Sequence, residues 1–172
     1  MKKMITLSMT ALVVVGFLIV SHGCQAQRRT NPAAFYDYEV ECMGTGRDGT
    51  QLLKVWGYGR RVNQATEQAK KNAVHAVIFR GITSGKPGCM QRPLATRPGT
   101  EQQHREYFEV FFKEGGRYLN FVSITFDGSI DPEDRLRVGR KFKVGVVVTV
   151  MHSALRKELE AANVIPALGS EF

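Results

Sequence analysis

Histidine is scarce in this chain, and the short motifs that usually announce chemistry are missing. The four histidines stand at 22, 75, 104 and 152, and none belongs to an H-E-x-x-H pattern. There is no C-x-x-C pair, no G-x-S-x-G nucleophile turn and no phosphate loop closed by Lys-Ser or Lys-Thr. Catalysis needs a nucleophile beside a base, two carboxylates in one pocket or a cluster of metal ligands. The sequence nominates no residue for these roles, so no catalytic residue, metal or cofactor is expected and the chain reads as a non-enzyme. Cysteine is sparse too, three residues in 172, which excludes a small disulfide-dense scaffold.

The one long apolar run lies at the start. Lys2 and Lys3 precede Met4 to Val20, seventeen uncharged residues, and polarity returns at Ser21 and His22. That is the layout of a secretory signal. Lysines before the run and Arg28, Arg29 after it give no charge asymmetry of the kind that orients a permanent span. Gly23 before Cys24, with the apolar stretch upstream, resembles a bacterial lipoprotein signal, although Ser21 and His22 replace the usual Leu and small residue. The resemblance implies a diacylglycerol on the Cys24 sulfur and removal of residues 1–23. Two other outcomes stay open: cleavage after Ala26, giving a soluble product beginning at Gln27, and an uncleaved anchor. Gln25 stands where an inner-membrane retention signal would carry Asp, so the lipoprotein reading points to the outer membrane, facing the periplasm.

Without its first 23 residues the chain keeps 149, enough for one domain with a core. Residues 24–34 read as a tether, 35–165 as a single globular domain and 166–172 as a tail. The full chain carries 24 Lys+Arg against 16 Asp+Glu, a balance compatible with anionic lipid headgroups or acidic glycans as neighbours, with a solvated basic surface as the plainer account, and it does not fix the fold. With Cys24 acylated, Cys42 and Cys89 remain, an even pair in an oxidising compartment. They are read either as a disulfide or as two small buried apolar residues.

Periodicity gives the order β-β-α-α-β-β-α, an α+β two-layer sandwich with a mainly antiparallel sheet of about four strands and two or three helices. Tyr36 to Cys42 alternates, Thr50 to Arg60 alternates around Trp56, and Arg140 to Met151 is a valine-rich central strand. A further strand is expected over Arg117–Phe126, followed by a turn at Asp127-Gly128. A helix over Val62–Gly81 is expected to start at an Asn63 cap and to lay Ala65, Ala69, Ala73 and Ala76 close against the sheet. His75 falls beside that stripe as a partly exposed structural residue. Ile82 to Thr100 is a long irregular segment, the kind that carries function or moves. Thr100 is expected to cap a helix over Glu101–Glu114, and Ser153 one over Ala154–Asn163.

Three patterns are weighed and set aside. Gly44, Gly46 and Gly49 spell G-x-G-x-x-G, but a Trp-containing strand follows instead of a helix, so a hairpin turn is expected. Asp131 to Asp134 lacks the spaced oxygens and central glycine of a calcium loop. The basic residues, among them Arg135, Arg137, Arg140 and Lys141, are spread rather than banded with aromatics, so nucleic acid is not an expected partner.

Lys54-Val-Trp-Gly-Tyr-Gly-Arg60, the alanine-spaced helix and the late valine strand together resemble small envelope lipoproteins of flagellar, curli and type VI secretion machines, over about residues 36–81 and 138–151. The resemblance implies an anchor or scaffold that docks a periplasmic protein subunit, with the type VI secretion lipoprotein as first candidate and self-association open. Tyr107, Phe108, Phe111 and Phe112, four aromatics in six residues, are the nominated partner contact, with core packing as the competing account. The runner-up function is a soluble periplasmic binding protein for an acidic glycan or small ligand.

Overall fold

Alternation over nine residues makes Gln51–Gly59 (β2) the strand around which the sheet is organised: Gln51, Leu53, Val55 and Gly57 are buried, while Leu52, Lys54, Trp56 and Tyr58 are half-buried on the other face. The computed structural model describes residues 38–46, 48–125 and 130–169, all within one unit, 32–172. β2 pairs antiparallel with Val40–Thr45 (β1), and the Gly46 N–H donates to the Thr50 carbonyl at 2.8 Å. Gly49 takes φ 68° in the same turn, so the glycine run closes a hairpin.

The centre of the sheet is Lys141–Val150 (β5), which pairs with β2 from Gln51↔Val150 to Gly59↔Phe142. Two short strands share its other edge. Val122–Ile124 (β3) pairs with Val148–Val150, and Arg135–Val138 (β4) pairs with Lys141–Val144. The order is β1-β2-β5-β3 with β4 farther along β5, an antiparallel five-stranded sheet in an α+β fold. β4 has no counterpart in the sequence reading because all four of its residues are exposed, leaving no buried face to alternate. Arg117–Phe121 is a 3₁₀ turn rather than a strand. Tyr118 and Phe121, three apart, meet Phe112 and Phe111 respectively, which a helix of three residues per turn delivers.

The helical layer begins with Val62–His75 (α1), continued by a π turn over Ala76–Arg80. Ala65, Ala69, Ala73 and Ala76 have no exposure at all. Under them, a Cβ on Gly57 would meet the Ala65 carbonyl and lie 2.5 Å from the Ala69 nitrogen, and one on Gly59 would strike the Ala65 nitrogen. The two glycines are therefore the counterpart of the alanine stripe, flattening β2 so that helix and sheet approach backbone to backbone. Arg61, not Asn63, precedes the first helical residue, and no side chain caps it. Gly81, at φ 75°, ends the π turn by donating to the Ala76 carbonyl at 2.7 Å.

The second expected helix is broken at His104 into Thr100–Gln103 (α2) and Arg105–Phe111 (α3). Thr100 does not cap it: its hydroxyl donates to the Arg97 carbonyl at 2.7 Å, and Gly99 at φ 82° makes the entry. The closing helix, His152–Ala161 (α4), starts after Met151 without using Ser153 and buries Leu155 and Leu159. It ends in a Schellman arrangement. Asn163 takes φ 53°, its N–H donates to the Glu160 carbonyl at 3.0 Å, and the Val164 N–H donates to the Leu159 carbonyl at 2.9 Å. The core lies between β2, β5 and α1, and extends under α3 and α4.

Candidate functional site

The long segment after α1 is stitched down. Ile82 and Gln91 exchange two backbone hydrogen bonds, at 2.9 and 3.1 Å, and the Leu94 and Ala95 N–H groups donate to the Val77 and Ile78 carbonyls that the helix end leaves open. Its first part runs beside β1, where the Cys42 N–H donates to the Ser84 carbonyl at 2.8 Å and the Lys86 N–H to the Cys42 carbonyl at 2.9 Å. Gly85 is needed there, since it takes φ 115° and a Cβ would run into the Cys42 backbone. Cys42 and Cys89 are joined by a disulfide, with Cα atoms 5.8 Å apart across 47 residues. Gln51 donates from its amide to the Gln91 side chain, tying β2 to the same segment. What projects is Thr83 to Gly88, with Met90 at 67% exposure.

The nominated aromatic contact turns inward. Phe108, Phe111 and Phe112 are buried, and only Tyr107 is half-exposed. Phe108 meets Phe79 edge-on at 4.8 Å, Phe112 meets Tyr118 at 5.9 Å and Phe111 stacks on Phe121 at 6.0 Å. The contact assignment is therefore corrected for Phe108, Phe111 and Phe112, which are core as the competing account had it: rings from the π turn and the 3₁₀ turn lie on two sides of α3, while its Glu106, Glu109 and Val110 face stays exposed. Tyr107 donates to Glu158 at 3.3 Å, and the same carboxylate pairs with Arg117. Burial, reinforced by Glu158, pushes the Tyr107 phenol up to about 12. Burial with Glu67 and Glu114 does the same for Tyr118, also to about 12.

His75 belongs to this cluster and is buried at 3% exposure, not partly exposed as its position off the alanine stripe suggested. Its Nδ1 shares a hydrogen bond with the Tyr38 hydroxyl at 2.7 Å, and its Nε2 faces a Glu101 oxygen at 3.6 Å. His152 is half-buried, and desolvation and then Arg156 hold its imidazole below the usual value. His104 lies in a shallow depression of about 400 Å³ that also includes Arg97, Thr100, Gln103 and Glu160. Glu160 there is already bound by Arg156 at 2.9 Å. A smaller depression of about 200 Å³ lies between Tyr38–Glu41 and Arg80–Ser84. Among the described residues no three His, Cys, Asp or Glu side chains gather as metal ligands, and no helix is long and apolar enough to cross a membrane.

The sheet face turned away from α1 carries a different constellation. Trp56 lies over Gly145, and the Lys54 and Lys143 ammonium groups sit 5.2 and 5.8 Å from its ring centroid. Each lysine is neutralised, Lys54 by Asp134 at 2.6 Å and Lys143 by Glu39 at 2.7 Å. The acidic turn at Asp131–Asp134 is accordingly engaged through Asp134 in an internal ion pair. From this face the β4–β5 hairpin extends, turning at Gly139 with φ 59° and gathering Arg135, Arg137, Arg140 and Lys141, which looked dispersed in the sequence. Arg135 and Arg137 bracket Phe142 at 5.7 and 6.0 Å. Cys24, the signal, the tether and the Asp127-Gly128 turn lie outside the described residues. Compared with protein-family models, curated proteins and solved structures, the chain matches none.

Proposed function

We propose that this chain is a non-enzymatic outer-membrane lipoprotein, held through a lipid on Cys24 and facing the periplasm, where its α+β domain anchors or scaffolds a protein subunit of an envelope assembly. A type VI secretion envelope complex is the first candidate. One observation carries the reading. The chain has three cysteines and two of them are bonded to each other, so Cys24 is the single remaining thiol, in a chain whose disulfide suits an oxidising compartment. That thiol follows an apolar run after Lys2 and Lys3. Each buried acyl methylene contributes about 0.8 kcal/mol, so two or three chains on one sulfur and one amine hold a small domain on a bilayer. With Phe108, Phe111 and Phe112 in the core, the projecting Thr83–Gly88 and Met90 are the partner contact this reading favours.

Intact mass of the protein extracted from its native membrane tests this. The expected mass is that of a chain beginning at residue 24 with acyl groups added, and Cys24→Ala is expected to move the protein out of the membrane fraction. A soluble product beginning at Gln27 would overturn the anchor. Failure of the membrane form to co-purify any envelope subunit would overturn the scaffold role. The runner-up, an exported binding protein for an acidic ligand, draws its support from the depression lined by Arg97, Gln103 and His104. It expects saturable uptake of a small carboxylate or acidic sugar that Arg97→Ala weakens.

A further inference from the structure

The β4–β5 hairpin concentrates positive charge beyond what its contacts within the fold use. Over residues 135–143 there are five cations and no acid, interrupted only by Leu136, Val138, Gly139 and Phe142. Arg135, Arg137, Arg140 and Lys141 are all exposed, and among the described residues no carboxylate pairs with them. Leu136 and Val138 are 49% and 51% exposed, although apolar. Register sorts these residues by face. Leu136 is opposite Lys143 and Val138 opposite Lys141, so two apolar side chains and two lysine stems share one side of the ribbon. Arg135 and Arg137 lie on the other side over Phe142. The apolar side runs on into the sheet face turned away from α1 through Tyr58, which is opposite Lys143, and then Trp56.

We propose that this hairpin is a docking surface for an anionic lipid bilayer, its cations meeting headgroup phosphates while Leu136 and Val138 enter the boundary with the acyl chains. A polyanion such as nucleic acid or an acidic glycan would satisfy the cations and leave both apolar side chains in water. A lipid interface accepts both, with Lys and Arg stems snorkelling and aromatic rings at the headgroup level. The inference does not depend on acylation of Cys24, and its test removes that possibility.

The experiment uses the full chain carrying Cys24→Ala and Val138→Cys. With Cys42 and Cys89 bonded to each other, residue 138 then holds the only thiol and takes a polarity-sensitive dye. The dye is expected to report an apolar surrounding on phosphatidylethanolamine vesicles that contain phosphatidylglycerol, and water on phosphatidylcholine vesicles. Any contribution of Met4–Val20 is common to both. Changing Arg137, Arg140 and Lys141 together to Ser is expected to lower the ratio of inserted to solvated dye on the order of 100-fold, at about a five-fold loss per cation near an anionic surface. Leu136→Ser is expected to lower it further. All the altered residues are exposed, so the variants should melt with the parent, and raised salt on the parent should weaken insertion without any cation change. Equal insertion into neutral vesicles, or no response to cation removal or salt, would overturn the proposal. So would a Leu136→Ser chain that inserts as well as the parent, which would leave a phosphate-binding surface with no lipid character.

Discussion

Gly57 and Gly59 show how a single missing Cβ sets the distance between layers. The sequence alone gives this pair no role, because one strand contains no record of what lies above it. The alanines of α1 were legible as a close-packing stripe, yet their partner glycines became meaningful only with the helix in place. Gly57→Ala is expected to cost about 3 kcal/mol, at the upper end for overpacking, because the obstacle is helix backbone at Ala65 and Ala69 rather than a movable side chain. Gly44→Ala, which meets nothing within 4 Å and has no positive φ, is the control and should cost well under about 1 kcal/mol. Urea denaturation of the two variants checks both. Tyr107 and Tyr118, each pushed up to about 12, give a pH dependence. Their burial as neutral phenols stabilises the fold fully below the ordinary tyrosine value near 10, and that contribution is lost as pH rises toward 12, because the unfolded chain ionises first. Lys71, whose ammonium burial pushes down, opposes the trend by favouring the fold more as it deprotonates. The melting temperature should therefore fall between pH 10 and 12, and Tyr107→Phe should flatten the fall.

At the scale of elements, what the sequence displayed was whatever had a buried side. β2, α1 and β5 were legible because each presents a regular stripe to the core, and the G-x-G-x-x-G run was legible as a turn because a strand follows it. β4 was not, since a strand with no buried residue leaves no period. The aromatic helix stayed open between contact and core for the opposite reason: α3 has ring partners on two sides, from Phe79 and from Tyr118 and Phe121, so its aromatics exceed what one stripe explains while still being core. The same limit applied to the segment after α1, whose order comes from contacts distant in sequence. Its disulfide closes a loop of 47 residues, for which the chain-entropy account gives about 4 kcal/mol. Cys42→Ser with Cys89→Ser is expected to lose about that much in urea denaturation. It should also speed proteolysis at Thr83–Gly88, which two backbone hydrogen bonds to Cys42 would still fasten to β1. Unchanged stability and cleavage in the double variant would show that backbone stitching alone orders the segment.

For the whole molecule, the sheet ends are as telling as its centre. On one side the Ser84–Lys86 backbone occupies the hydrogen-bonding groups of Cys42, secured by the bond to Cys89. On the other, the flank of β5 is divided between β3 and β4, and the latter is lined with arginine. Among the described residues neither side offers a long, flat, apolar row of open donors and acceptors. Proteins tethered to a bilayer are confined to two dimensions and meet their own copies far more often than in free solution. On the proposed Cys24 anchor, the sulfur–sulfur link would act as a safety catch against that crowding: reducing it and freeing the flap beside β1 is expected to let neighbouring copies zip strand to strand into fibrous polymer, which thioflavin binding after reductant treatment checks.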